Sequence, residues 1–298
     1  MSKNKKVALR TIIKCNNNCL GCTTSDMRSG KNEKETLLKL ISDSRKQHCN
    51  EIVFTRGDPL LHPDLIEVIS FSKSQDYKII QLQTNGRLLF YTDYTDALIS
   101  AGINVFEITL FSANKLIHDK ITRVKGSCQQ TMKGLENVLA HKNVDINLNI
   151  PILKYNYKHL CATVKYLYSL GIRNINFSFL RPTTSKNVLV KLSALKSSLL
   201  KTLDYCQQQG IHYSTEAIPF CCLGKHIDQA SEIDLPDITI YEINSTKSRK
   251  LKNIRRTYLM SKAVQCKQCS YYNSCFGTWK KYLDLFGSKE LKPITNEK

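Results

Sequence analysis

The sequence contains no run of about 18 apolar residues, the minimum for a membrane-crossing helix. Its first residues, MSKNKK, lead into VALRTIIK rather than into the apolar core and small-residue cleavage site of an export signal. These absences argue against a membrane span and against secretion, so a soluble, cytoplasmic protein is expected. In a reducing compartment the twelve cysteines are a poor disulfide framework; clustered ones point to metal and scattered ones to buried thiols. Dense arginine blocks and basic stripes interleaved with aromatics are also missing. Forty-four Lys and Arg against 25 Asp and Glu give a net charge of +19, which would attract phosphate backbones or acidic peptides. The lysines are spread along the chain among many asparagines, however, so nucleic-acid binding is a secondary reading. No H-x3-H spacing occurs, and His48, His118, His159 and His226 are not assigned to metal.

What the chain does have is alternation. Strand-like runs begin at Val7, Glu51, Tyr77, Asn104, Val144 and Arg173. Between them Leu37/Leu40/Ile41, Leu65/Val68/Ile69, Tyr94/Leu98/Ala101, Met132/Leu135/Leu139 and Leu160/Val164/Leu167 fall at helical spacing. Gly102 and Gly171 stand where helices should end. Strands returning through helical crossovers pair in parallel. The expected fold is therefore α/β, a partial (β/α)6 TIM-like barrel over residues 5–210, closed by a helix within 188–210. Beyond it the periodicity weakens, Pro219 and Pro236 interrupt, and a small cysteine-rich C-terminal domain is expected over 211–298.

The loop after the first strand reads KCNNNCLGC and holds Cys15, Cys19 and Cys22. Three thiolates can ligate three corners of a four-iron cluster and leave the fourth iron open. This C-x3-C-x2-C loop resembles the signature of the radical S-adenosylmethionine (radical SAM) superfamily, and three further segments match in order. FTRGDPLLHPDL, after the second strand, is similar to the family's G-G-E-P turn, which implies contact between Gly57 and Asp58 and the ligand's amino group. Here Arg56 replaces the first glycine and Asp58 the glutamate. LQTNGRLL resembles a T-N-G element and places Asn85 near the ligand. EITLFS and the following HDKITRVKGS match segments that imply Ser112 near the ribose and Arg123 near the carboxylate. Gly21 stands where many members have an aromatic residue, so the adenine would pack elsewhere, with Asn149 and FSFLRP as candidate linings. His62, just after the glycine-acid-proline turn, is expected to help start the next helix.

A second cysteine group comprises Cys221, Cys222, Cys266, Cys269 and Cys275. Four thiolates make one closed site, for zinc or for an iron-sulfur cluster, and spacing does not choose between them. The tail resembles the SPASM or twitch domains of radical SAM enzymes, which implies a second, auxiliary 4Fe-4S cluster. Five cysteines for four corners leave one over. Either Cys221 or Cys222 is surplus; with Cys221, Cys266, Cys269 and Cys275 taken as the ligands, Cys222 is a hydrogen-atom donor to a substrate radical, as in peptide epimerases of the superfamily, or a packed thiol. Cys49, Cys128, Cys161 and Cys206 read as core residues.

The resemblance implies a 4Fe-4S cluster that binds S-adenosylmethionine and cleaves it with one electron, giving a 5′-deoxyadenosyl radical that abstracts hydrogen from an unactivated C–H bond. It further implies a low-potential electron donor such as a flavodoxin or ferredoxin. A ribosomally made peptide, epimerised or cross-linked, is the expected substrate. No N-terminal extension precedes the first strand to bind a leader, so a leader would bind elsewhere or on a partner. The alternatives are radical modification of a carbohydrate, nucleoside or RNA, and a zinc-stabilised nucleic-acid-binding protein without redox activity.

Overall fold

The computed structural model describes residues 5–23, 29–182 and 186–295; the last three residues of the expected C-terminal domain lie outside them. The expected alternation is present as β1 (Lys5–Arg10), α1 (Lys34–Lys46), β2 (Cys49–Thr55), α2 (Leu65–Ser74), β3 (Ile79–Thr84), α3 (Thr92–Ala101) and β4 (Val105–Thr109). It continues through α4 (Lys115–Thr122), α5 (Ser127–Leu139), β5 (Asp145–Ile152), α6 (Leu160–Ser169), β6 (Asn174–Phe179), α7 (Leu192–Gln208) and β7 (His212–Glu216). The strands pair in parallel in the order β7-β6-β5-β4-β3-β2-β1. A further parallel strand, β8 (Asp237–Tyr241), pairs with β1, and β9 (Ser248–Lys250) pairs antiparallel with β8.

The six strands of the expected alternation are joined in one sheet by three more, β7, β8 and β9, which lie beyond residue 210. The core is likewise continuous: Met260, Phe276, Trp279 and Tyr282 belong to the same apolar cluster as the strand and helix residues of the barrel. The Trp279 indole donates to the Phe179 carbonyl (3.1 Å), and the Tyr282 hydroxyl accepts from the Leu192 amide (2.8 Å). The cysteine-rich tail is thus seated on β6 and α7.

Period-two alternation sorts the strand residues. Val7, Leu9, Ile52, Phe54, Leu82, Phe106, Ile108, Leu148, Ile150 and Phe177 are buried in the core that the helices share. Their neighbours in sequence point the other way, into the sheet's concave side. On β3 to β7 that side is polar: Gln81, Gln83, Glu107, Asn147, Asn149, Asn176, Ser178, Ser214 and Glu216 line one cavity of about 910 Å3. On β1, β2 and β8, Ala8, Val53 and Ile240 form a small apolar patch of the same wall. The interior is therefore a lined chamber, with its mouth at the C-terminal ends of the parallel strands, where such sheets carry chemistry.

Candidate active site

Cys15, Cys19 and Cys22 line the chamber, together with Asn85 and Gly57. Their loop is held by backbone bonds to α4, from Asn18 N–H to the Thr122 carbonyl (3.0 Å) and from Leu20 N–H to the Ile121 carbonyl (2.8 Å). On the other side the turn after β3 grips it. The Asn85 amide donates to Cys15 Sγ (3.6 Å) and Asn16 Oδ1 (2.6 Å), and Arg87 donates to the Asn16 carbonyl and to Asn17 Oδ1 (3.0 Å). The thiols lie close enough to repel one another as thiolates. Burial first, and then the neighbouring Cys15 and Cys22, push the Cys19 thiol up to about 12. Neutral thiols in this loop gain from being replaced by metal-bound thiolates, since a metal removes both penalties.

Gly57 is fixed by contact rather than by taste. It has φ +55°, and a Cβ there would lie 2.4, 2.5 and 2.6 Å from the carbonyl oxygens of Lys14, Ile12 and Ile13. The turn after β2 is thereby pressed against the segment that leads into Cys15, and Asp58 N–H donates to the Lys14 carbonyl (2.9 Å). Asp58 is fully buried and stands behind the wall, not on it. Its Oδ1 accepts from Thr84 Oγ1 (2.8 Å) and Leu60 N–H (3.2 Å), while Oδ2 has no partner. Burial raises its carboxyl to about 6 in spite of those bonds. The Cys15 thiol is raised by burial first and also by this carboxylate, which acts on the site from behind the wall and not as part of the chamber's lining.

Other expected residues are not brought to the chamber. Ser112 is wholly buried, sharing a bond with Thr163 Oγ1 (3.3 Å) and accepting from Asn114 N–H (3.1 Å), and is not on the wall. Arg123 ends α4 in the left-handed region at φ +57° and is exposed. Sequence order placed both near the ligand; helix capping and side-chain direction turn them away. The departure at Gly21 has a steric cause, because a Cβ there would lie 2.7 Å from Leu180 Cδ2, so the segment after β6 fills that space. Asn149 does line the chamber, where its Oδ1 accepts from Asn176 (3.1 Å) and Ser178 (2.9 Å). His62 is buried, with its Nδ1 accepting from Asp64 N–H (3.2 Å) at the entry to α2. Arg87 was not singled out from sequence; its position directly after Asn85-Gly86 is the signal that could have found it.

In the second group, Cys221, Cys266, Cys269 and Cys275 line one small cavity, with Lys262 and Lys292 beside them. Backbone amides point at two of the sulfurs, Gly277 N–H at Cys275 (3.2 Å) and Ile294 N–H at Cys269 (3.4 Å). Cys222 is not among the residues lining either cavity; it is buried in the apolar core. The expectation that Cys222 donates a hydrogen atom to a substrate radical is not met by a place on the chamber wall: Cys222 is buried at the end of the 3-10 turn Phe220–Cys222, with its thiol against that of Cys221. Cys49, Cys128 and Cys206 are core residues as expected. Among the described residues no three His, Cys, Asp or Glu side chains converge on a point as ligands of one metal ion do. A zinc ion would draw its four thiolates to about 2.3 Å from a single centre, whereas a four-iron cluster holds them at separate corners. Cys221, Cys266, Cys269 and Cys275 supply the four thiolates that either would need.

Comparison with known proteins agrees with this geometry. Residues 9–167 match the family model described as the Radical SAM superfamily. Among curated proteins the chain is 26% identical over 168 residues to a probable GTP 3′,8-cyclase of Methanopyrus kandleri, covering 56% of this chain and 53% of that one. It is also 26% identical over 188 residues to the AdoMet-dependent heme synthase of Methanosarcina barkeri, covering 59% and 51%. The chain thus spans about half the length of the curated relatives it matches. Among solved structures, Streptococcus suis SuiB bound to S-adenosylmethionine superposes with a TM-score of 0.69 at 13% identity, over 98% of this chain and 77% of SuiB. Native anSMEcpe with bound AdoMet gives 0.69 at 16% identity, over 98% and 93%. The matched segment contains the three-cysteine loop, the Gly57 turn and the Asn85 turn, and on that match the chain belongs to the radical SAM superfamily.

Proposed function

We propose that this enzyme modifies a ribosomally made peptide by epimerisation or cross-linking. Cys15, Cys19 and Cys22 hold the cluster, with Gly57, Asp58 and Asn85 around its ligand. Cys221, Cys266, Cys269 and Cys275 hold an auxiliary cluster in a SPASM- or twitch-like tail. When bound, the first cluster and S-adenosylmethionine supply hydrogen-atom abstraction from an unactivated carbon. The chain's own part is to seat the substrate in the chamber and exclude water from it. A flavodoxin or ferredoxin is the proposed electron donor.

The observation that carries the peptide reading is the chemistry of the wall. Its lining is rich in amides and hydroxyls, and three of its cations are engaged by acidic or amide side chains of the protein: Lys6 with Glu51 (3.6 Å) and Gln81 (2.7 Å), Arg10 with Glu242, and Arg255 with Glu216 and Glu232, while Arg56 also lines the wall near Cys22. Amides and hydroxyls suit a neutral polar guest such as a peptide segment. A nucleoside triphosphate needs several cations free to turn to its phosphates. SuiB has also been solved with its precursor peptide SuiA, and that structure superposes with a TM-score of 0.70 at 13% identity. A second reading, modification of a nucleoside or RNA, is favoured by the sequence likeness to GTP 3′,8-cyclases. Membership of an enzyme family overturns the alternative of a zinc-stabilised protein without redox activity.

The test is anaerobic incubation of the reconstituted enzyme with S-adenosylmethionine, a reductant and either synthetic peptides from small open reading frames sought beside the gene or GTP. The peptide reading expects 5′-deoxyadenosine to rise with the peptide and the peptide to lose two mass units or take up deuterium from D2O. Stimulation by GTP alone would replace it with the nucleotide reading. Replacing Cys15, Cys19 and Cys22 with alanine should lower bound iron from about eight atoms to about four per chain.

A further inference from the structure

The second cysteine cavity carries a fixed positive charge. A two-stranded ribbon, β10 (Met260–Ser261) and β11 (Thr278–Trp279), brings the chain segments on either side of it together. The approach is close: a Cβ on Gly277 would lie 2.0 Å from the Ser261 carbonyl oxygen. Lys262, the residue after β10, is thereby set against the turn that carries Cys275. Its ammonium donates to the Tyr272 carbonyl and lies 4.0 Å above the Tyr272 ring, and it shares the lining of the cavity with Cys221, Cys266, Cys269 and Cys275. The thiols of Cys266 and Cys275 feel this charge, and the charge feels the sulfurs of Cys275, Cys266 and Cys269.

A lysine on a surface ribbon would ordinarily turn to water, since a solvated ammonium loses freedom when it is pinned. Here a carbonyl and an aromatic face hold it at the lining of the cysteine cavity. The potential of an iron-sulfur cluster depends on net charge, hydrogen bonds to its sulfurs and exposure. The amides of Gly277 and Ile294 supply the hydrogen bonds, and Lys262 is the lysine of the cavity lining that a carbonyl and a ring hold in place.

We propose that Lys262 is a positioning residue that raises the reduction potential of the cluster held by Cys221, Cys266, Cys269 and Cys275, so that this site takes up an electron more readily. The inference rests on the reading that the second group holds an iron-sulfur cluster. One electron from a chemical reductant enters the cluster, and Lys262 stabilises the added negative charge; no bond is made or broken.

The test uses the full chain with Cys15, Cys19 and Cys22 replaced by alanine, so that any remaining cluster belongs to the second site. Its midpoint potential is read by electron paramagnetic resonance during titration with dithionite. Lys262→Met should lower the potential by about tenfold in the reduction equilibrium, about 59 mV for one electron. Lys262→Arg, which keeps the charge, should stay within a third of that shift. Lys267→Met, at an exposed lysine beside Cys266, should leave the potential in place. A signal present but unmoved by Lys262→Met, or moved equally by Lys267→Met, would overturn the proposal and leave the cluster reading standing. Absence of any cluster signal from the parent protein would overturn both.

Discussion

Gly57→Ala tests the link between the glycine-acid-proline turn and the cysteine loop. The added Cβ would meet three carbonyl oxygens at 2.4 to 2.6 Å, and the backbone at φ +55° is one that side chains disfavour. A left-handed non-glycine residue costs about 1–2 kcal/mol. Three close contacts with backbone oxygens, none of which can rotate away, add about 1–3 kcal/mol as overpacking does. The Ile12–Lys14 segment, which leads directly into Cys15, must move to relieve them. The expected result is a loss of about 2–5 kcal/mol of stability together with a lower iron content after reconstitution. Gly171→Ala is the control, since φ there is +96° but nothing lies within 4 Å of the point a Cβ would occupy, so only backbone strain of about 1–2 kcal/mol is expected. Thermal unfolding and iron analysis of the two variants side by side decide the matter. If Gly57→Ala unfolds no earlier than Gly171→Ala and holds as much iron, the close approach does not position the cysteine loop.

Buried polar groups lead to two further predictions. Neither ring nitrogen of His118 has a hydrogen-bond partner, and burial pushes its pKa down to about 4 from 6.5. The folded protein therefore refuses a proton that the unfolded chain accepts, so this contribution is intact above pH 6.5 and is lost as pH falls toward 4. The loss reaches about 2 kcal/mol at pH 5. His118→Leu should flatten the fall in melting temperature between pH 7.5 and pH 5, and an unchanged slope in the variant would refute the assignment. Arg87 ties the cysteine loop through Asn16 and Asn17 and is itself held by Gln130 (2.7 Å). Arg87→Met removes bonds from a charged donor worth about 1.5–3 kcal/mol each. Iron bound at the first site should become several times more labile to a chelator, and equal release rates in variant and wild type would count against that role.

The alternation of strand and helix was legible because each element repeats its signal: Leu37, Leu40 and Ile41 face one way on α1, and Val7 and Leu9 one way on β1. The Cys15, Cys19 and Cys22 loop was legible because its spacing is local and its place after a strand is set by chain order. β7 escaped notice because only Thr215 of its five residues is buried, its other side belonging to a polar chamber, so the apolar half of a period-two pattern is missing. β8 escaped because its partner β1 lies more than two hundred residues earlier, and no local pattern encodes that pairing. For the same reason sequence could name Cys221 and Cys222 together but could not separate them. The 3-10 turn beneath them gives one to the second cavity and the other to the core. Local spacing determined the chemistry this chain carries; only tertiary packing decided which side chains face it, because facing is set by where distant segments close against one another.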